Sequence, residues 1–422
     1  MTQKITSPSA REAAYLALLS CQRDNTFLSK YLDQWSEDYS PSSLDFSLAQ
    51  EIAYGTERQK ISLDYLAKKL SQTGKLSLKS KEKILLRTAL YQFYYMDRVP
   101  LYALANESVT IARKYCHSNF VKFLNAVLRK LPDTPSSLPQ GNSVADLSIN
   151  FSFPEFFISH LLEDYGLEKS IEIMQTSNSP IPTTVRVRSK EIEHPELSMF
   201  VNSPFPFVKL TNKSLLPEIS KSSNYYIQNV TPATLLGKLC EKIDAPEKVL
   251  DLCASPGGKT IAIHDYFPKA ELFANDISEN KLLKLNENFQ KYDIDAHISI
   301  SNGESFQSDE LFDIIIVDAP CSNSGVLNKR PEARWRLSDQ SIKSLEELQA
   351  GIIENAIKFL KDGGQLWYMT CSILKSENEK AVERFSQDFG LQIVRCETIL
   401  PNKNGWDGGF SCAFTKTKLT SL

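Results

Sequence analysis

The chain has 422 residues, 42% of them apolar and 23% charged, with a net charge of −3, so it can bury two or three cores without disulfides or metal. Its apolar runs, such as Ile314 to Val317, fall far short of the roughly 18 residues that cross a bilayer, and its eight cysteines form no CxxC pair and have no nearby histidine pair. Neither a membrane span nor a zinc site is expected, and the chain is read as cytoplasmic with its thiols reduced, buried or catalytic and with neither metal nor membrane among its partners; the sequence does not fix the oligomeric state, for which a monomer is the expectation.

The chain opens on Ser9-x-x-Glu12, a helix-start pattern that reads the following Ala13 to Leu19 as a soluble amphipathic helix rather than a signal peptide. Residues 1–131 show helical periodicity and almost no strand signal. One stripe is Leu86, Ala89, Leu90 and Phe93, ended by the turn before Pro100; another is Phe120, Phe123, Leu124, Val127, Leu128 and Leu131, with Lys122 and Arg129 on the opposite face. This domain is basic. Between Lys60 and Lys130 there are 14 basic and 4 acidic residues, a balance that suits either plain solvation or contact with phosphates.

Residues 132–146, with three prolines and three serines, have the composition of a linker. From 147 to 243 helices around Phe156 to Leu162 and Glu168 to Met174 precede a strand at Thr183 to Val187, a small α/β segment. In residues 244–422 the apolar runs Val249 to Cys253, Leu272 to Asn275, Phe312 to Val317 and Gln365 to Met369 alternate with helical stretches. That alternation predicts an α/β domain with a doubly wound, mostly parallel sheet.

The chemistry gathers at the ends of those strands. Residues 251–260, DLCASPGGKT, run from a strand through a tight turn into a helix; Gly257 and Gly258 admit a ligand close to the backbone, and the helix start offers free N–H donors. Gly258-Lys259-Thr260 would end a phosphate-binding loop, but Cys253 stands where its first glycine belongs. Asp276, after the next strand, suits either a ribose diol or a helix cap. Cys321 follows Asp318-Ala319-Pro320 after one buried strand and Cys371 follows Met369-Thr370 after another, so two thiols and a carboxylate should share one crevice.

That set suits one reaction in particular. A thiolate adding to C6 of cytosine makes C5 nucleophilic toward a methyl donor; a carboxylate on the N3 and N4 edge favours the addition; a second thiol takes the C5 proton and frees the first. The bland alternative for each cysteine alone is a small buried hydrophobe.

The combination DLCASPGGKT, DAPCSNSGVL (318–327), PEARW (331–335) and TCS (370–372) resembles the Sun/RsmB family of bacterial 16S ribosomal RNA cytosine-C5 methyltransferases. Residues Ala49 to Tyr54, Leu85 to Tyr94 and Phe123 to Arg129 resemble the NusB-like domain this family carries, and the likeness runs from about Ser9 to Phe410. It implies a Rossmann-like methyltransferase domain behind an all-α NusB-like RNA-binding domain and the small α/β segment, with S-adenosylmethionine as cofactor and 16S ribosomal RNA, free or in a partly assembled small subunit, as partner. It implies Cys371 as nucleophile and Cys321 as the group that releases product. Cys253, Ala254, Ser255, Pro256, Gly257, Gly258 and Lys259 would wrap the methionine part of the cofactor, Asp276 its ribose and Asn302 its adenine, with Asp318 between cofactor and base. The chain departs from the family pattern at Asn302, Arg188 and Asn229, where an aspartate, an asparagine and an aspartate are usual. Two other readings stay open: the same chemistry on another RNA such as transfer RNA, and an RNA-binding regulator with a vestigial methyltransferase part.

Overall fold

A computed structural model describes residues 7–71, 74, 76–188, 193–201 and 205–416. By contact density the chain divides into one unit of residues 1–162 with 329–336 and a second of residues 163–328 with 337–422.

The first unit is helical: Ala10–Asp24, Leu28–Tyr39, Ser43–Arg58, Lys60–Leu70, Ser80–Tyr95, Leu101–Tyr115, Ser118–Lys130 and Val144–Phe151. The Ser9 hydroxyl accepts from the Glu12 N–H at 3.3 Å, which satisfies one of the free donors at a helix start. Both stripes face the core. Leu86, Ala89, Leu90, Phe120, Leu124, Val127 and Leu128 are buried, whereas Lys122 and Arg129 are exposed. Burying each leucine or phenylalanine contributes about 1.5–3 kcal/mol.

The segment Lys329–Arg336, which carries PEARW, also belongs to this unit. Arg334 is fully buried. Its guanidinium lies 3.9 Å from the Phe153 ring centre and donates to the Ser152 carbonyl at 3.0 Å. The Trp335 indole donates to the Glu57 carbonyl at 3.1 Å, and Glu332 accepts from the Leu28 N–H at 3.3 Å. PEARW is therefore a packing element whose polar groups meet helix ends, and a short run read only by its likeness to a family gains a physical role.

The helical stretch Glu155–Asn178 breaks at Gly166 (φ 73°), as the two separate helical patterns in the sequence anticipate. Strands β1 (Thr183–Val187), β2 (Met199–Val201), β3 (Phe207–Leu210) and β4 (Tyr225–Ile227) form an antiparallel sheet in the order β2-β3-β1-β4. Here the departures at 188 and 229 find their reasons. Arg188, just past β1, makes a forked ion pair with Asp265 (2.7 Å), which Arg186 shares at 2.6 Å. Burial opposes the Asp265 charge, but His264, Arg188 and Arg186 together pull its pKa down to about 2. Asn229 accepts from the N–H groups of Thr231 (3.1 Å) and Asp407 (3.0 Å) and donates its amide to the Gly405 carbonyl (2.9 Å). An aspartate could not make that last bond.

The second sheet has seven strands: β5 (Lys248–Asp251), β6 (Glu271–Asp276), β7 (His297–Ile300), β8 (Phe312–Asp318), β9 (Leu360–Thr370), β10 (Leu391–Ile399) and β11 (Gly409–Lys416). Their order is β10-β11-β9-β8-β5-β6-β7; β9, β8, β5, β6 and β7 run parallel, and β11 and β10 complete one edge antiparallel. This is the doubly wound, mostly parallel sheet expected. Ile314 to Val317 in β8 are at most 2% exposed, as a strand covered by helices on both faces requires. The chain leaves β5 for β6 and β7 on one side and returns to β8 and β9 on the other, so the direction of winding reverses between β5 and β8. A ligand crevice opens at the carboxyl ends of such strands.

Candidate active site

Five strand ends, those of β5 to β9, meet at that crevice. After β5, Gly257 has φ +100° and a Cβ there would lie 2.9 Å from the Phe289 ring, so only glycine fits the turn. The turn is tied down by Ala254 N–H to the Asn275 carbonyl (2.9 Å) and by the Asn288 amide to the Pro256 carbonyl (2.7 Å). The helix Gly258–Tyr266 that follows has no side-chain cap, which leaves its first N–H groups for a ligand. Ala254 is buried, Cys253 and Ser255 are partly so and Pro256 is exposed. Burial, with Asp251, Asp318 and Asp276 nearby, pushes the Cys253 thiol up, so it stays a neutral thiol.

Asp276 ends β6. One carboxylate oxygen accepts from the Ser255 N–H at 3.0 Å; the other accepts from the Ile277 N–H at 2.7 Å and faces the exposed Lys281 at 3.1 Å. A carboxylate has about four acceptor positions. Because the Lys281 chain is exposed and can swing away, two of these are open to a pair of hydroxyls. Asn302, past the end of β7, caps the turn Gly303–Ser305 by accepting from the Glu304 N–H at 3.2 Å. These groups fit a nucleoside with a ribose diol: a glycine turn without Cβ atoms, an uncapped helix start and an acidic acceptor one strand away.

Asp318 ends β8, and its carboxylate makes an ion pair with Lys259. Burial works against the Lys259 charge, yet Asp318, with Asp251 behind it, more than offsets that and holds the ammonium above its ordinary pKa. Asp251 itself, enclosed at the end of β5, is raised by burial to about 7 although Thr260 donates to it at 2.7 Å. It lies inside the DLCASPGGKT run, where sequence reading took it for part of the strand.

The two thiols lie 3.1 Å apart, Cys321 buried after β8 and Cys371 partly exposed after β9. Asn323, in the left-handed region at φ 58°, bridges their loops: its amide donates to the Cys321 carbonyl at 3.0 Å and its oxygen accepts from the Cys371 thiol at 3.2 Å. Gly325 donates its N–H to the Cys371 carbonyl at 2.9 Å, and a Cβ there would stand 2.7 Å from that oxygen. The contact with Cys371, followed by burial, holds the Cys321 thiol well above its ordinary pKa. The structure thus brings Cys321 and Cys371 together, joins Lys259 to Asp318, and sets Asp276 against the glycine turn.

Sequence reading passed over Asn323 and a buried polar group behind the thiols: Ser322, Ser324, Ser372, Glu377 and Asn378. The signal was a polar run, Ser-Glu-Asn at 376–378, shortly after a buried strand. Among the described residues no cluster of three or more His, Cys, Asp or Glu could hold a metal ion, and no helix is long and apolar enough to cross a membrane.

Comparisons with known proteins agree in their content. Residues 241–410 match the family model for 16S rRNA methyltransferase RsmB/F, and residues 8–133 match that of the NusB family. The chain is 29% identical over 396 residues to the ribosomal RNA small subunit methyltransferase B of Yersinia pseudotuberculosis, an alignment covering 89% of this chain and 91% of that protein, and equally to its Yersinia pestis counterpart. The crystal structure of PH0851 matches over 99% of this chain and all of its own, with a TM-score of 0.78 at 18% identity. NSun6 from Pyrococcus horikoshii, solved with SFG, matches 63% of this chain and 99% of its own at a TM-score of 0.54 and 19% identity. At such identities the two structures support the fold alone.

Proposed function

We propose that this chain, whose residues 241–410 match the RsmB/F methyltransferase family model and whose residues 8–133 match that of the NusB family, methylates C5 of a cytosine in 16S ribosomal RNA, free or in a partly assembled small subunit, through a covalent bond between Cys371 and C6. The observation that carries this reading is the pair of thiols 3.1 Å apart at neighbouring strand ends. A single thiol could add to the ring, but it could not also take the C5 proton while bound to C6.

Residues Cys253 to Lys259 would hold the methionine part of S-adenosylmethionine, Asp276 its ribose and Asn302 the adenine end, with Asp318 between cofactor and base. Bound there, the cofactor supplies an electrophilic methyl group. The Asp318 carboxylate offers an acceptor to the N4 amino group and so orients the target base, while the Lys259 ammonium beside it offers a donor to N3 and draws electron density from C6. Cys371 gives its thiol proton to solvent and attacks C6 as the thiolate, with the Cys321 sulfur 3.1 Å away. The new S–C6 bond leaves an electron pair at C5, where the methyl group is received. Cys321, having released its own proton to solvent, then removes the C5 proton as a thiolate, the C5–C6 double bond re-forms, and Cys371 leaves as its thiolate. Because the base must stand clear of its neighbours to enter, a single-stranded or extruded cytosine is required.

Bisulfite sequencing of ribosomal RNA from cells with and without the gene tests the reading. One cytosine of the small-subunit RNA should resist conversion only when the gene is present. Protection confined to transfer RNA would transfer the reading to that substrate, and no protection anywhere would leave RNA binding by the helical domain as the function.

Asp276→Ala should weaken S-adenosylmethionine binding by about 1.5–3 kcal/mol, the range for a hydrogen bond to a charged group, which is roughly ten- to a hundred-and-fifty-fold in Kd. Isothermal calorimetry giving the wild-type affinity would remove Asp276 from the binding set.

A further inference from the structure

The carboxylate of Glu377 is wholly enclosed, and it has no cationic partner among the described residues. Its oxygens instead collect three donors. One accepts from the Ser322 N–H at 2.9 Å and the Gln349 amide at 3.1 Å; the other accepts from the Ser372 hydroxyl at 2.6 Å. Ser322 adjoins Cys321 in the chain and Ser372 adjoins Cys371, so one anion grips both thiol loops at the residue next to each sulfur. The remaining polar groups converge on the same point. Ser324 lies 3.0 and 2.9 Å from the hydroxyls of Ser322 and Ser372 and accepts from the Ile373 N–H at 2.9 Å, while Gln349 also donates to the Pro320 carbonyl at 2.9 Å.

Enclosing a charge without a counter-ion costs stability even when hydrogen bonds satisfy it, and an apolar side chain of that size would pack more favourably. What such a network contributes is a defined arrangement of the groups it holds. We propose that Glu377 is the positioning residue of the thiol pair, the anion that fixes Cys321 against Cys371 so that attack on the base and removal of its proton occur in one site. This rests on the reading of the two thiols given above, although the positioning itself can be measured without any methylation.

Phenylarsine oxide bridges two adjacent thiols with loss of water. Captured thiols resist iodoacetamide added after denaturation, when every free thiol is accessible, and peptide mass spectrometry identifies them. The Cys396 and Cys412 pair, 2.6 Å apart across β10 and β11, serves as an internal control in the same molecule. At a temperature where Glu377→Ala retains its circular dichroism, capture at Cys321 and Cys371 should fall at least about fivefold while the control pair is unaffected, and single-turnover methyl transfer at saturating RNA and cofactor should fall on the order of a hundredfold, the effect of displacing a reacting group by about an ångström. Cofactor affinity should stay within about twofold, and Glu377→Gln, which keeps the shape and one acceptor, should recover about a tenth or more of the wild-type rate. If Glu377→Ala does not fold, Ser372→Ala removes only the hydroxyl linking the Cys371 loop to the anion, and it should lower capture and rate together. Undiminished capture in folded Glu377→Ala, or in Ser372→Ala, overturns the proposal whatever happens to the rate. Loss of capture in a protein whose wild type methylates no RNA would support the positioning role and sink the reaction instead.

Discussion

Cys371→Ala should abolish methyl transfer, by roughly four orders of magnitude or more, while cofactor affinity stays near wild type. The thiol lies 3.1 Å from Cys321 and 3.2 Å from the Asn323 oxygen. None of the bonds found around Asp276 and the glycine turn passes through it, so its removal takes away a bond-forming group and spares the groups assigned to the cofactor. Single-turnover assays with labelled S-adenosylmethionine, alongside calorimetric binding, separate these effects. Substantial turnover by the variant would refute the nucleophile assignment, and a matching loss of cofactor binding would show that Cys371 holds the site together rather than reacting in it. The substitution removes a partly exposed side chain, so folding should be little affected.

How far these residues could be read beforehand followed from where each sits. A strand buried on both faces is a continuous apolar run, and β5, β6, β8 and β9 announce themselves in that way; the groups just past their ends inherit a common crevice from the parallel topology alone. The thiols, Asp318, Asp276 and the glycine turn were legible for that reason. Strand β7 was not, because it is an edge strand of four residues, His297 to Ile300, all exposed, whose His-Ile-Ser-Ile alternation is too short to stand out. Strand β11 is buried, but its Gly409, Ser411, Cys412 and Ala413 are small and weakly strand-forming, and β10 carries Arg395 and Glu397; the antiparallel edge emerges only when both pair in space.

Polar residues that act at a distance were hidden for a different reason. Glu377 and Ser372 look like surface residues until the fold encloses them, since a sequence pattern records polarity and not the donors that will satisfy it. Arg334 is the same case in the helical unit: a fully buried guanidinium over Phe153 inside a segment that appeared to belong to the methyltransferase part.

The thiols are most clearly told apart by how each fails. With Cys321→Ala, Cys371 can still add to C6 and C5 can still receive the methyl group, but the base that takes the C5 proton is gone. β-Elimination stalls and the enzyme should stay joined to methylated RNA. The geometry supports this division: Cys321 is buried, with its pKa raised by its contact with Cys371, which suits a proton acceptor, whereas Cys371 is the more accessible of the two and suits the attacker. Incubated with RNA and S-adenosylmethionine and run on a denaturing gel, Cys321→Ala should give a slow band that ribonuclease removes, absent from Cys371→Ala and from the double variant. A band with Cys371→Ala and none with Cys321→Ala would exchange the roles and make the cysteine after Asp318-Ala319-Pro320 the attacker. No band with either would return both sulfurs to packing, because a pair 3.1 Å apart that traps nothing has no part in a covalent cycle.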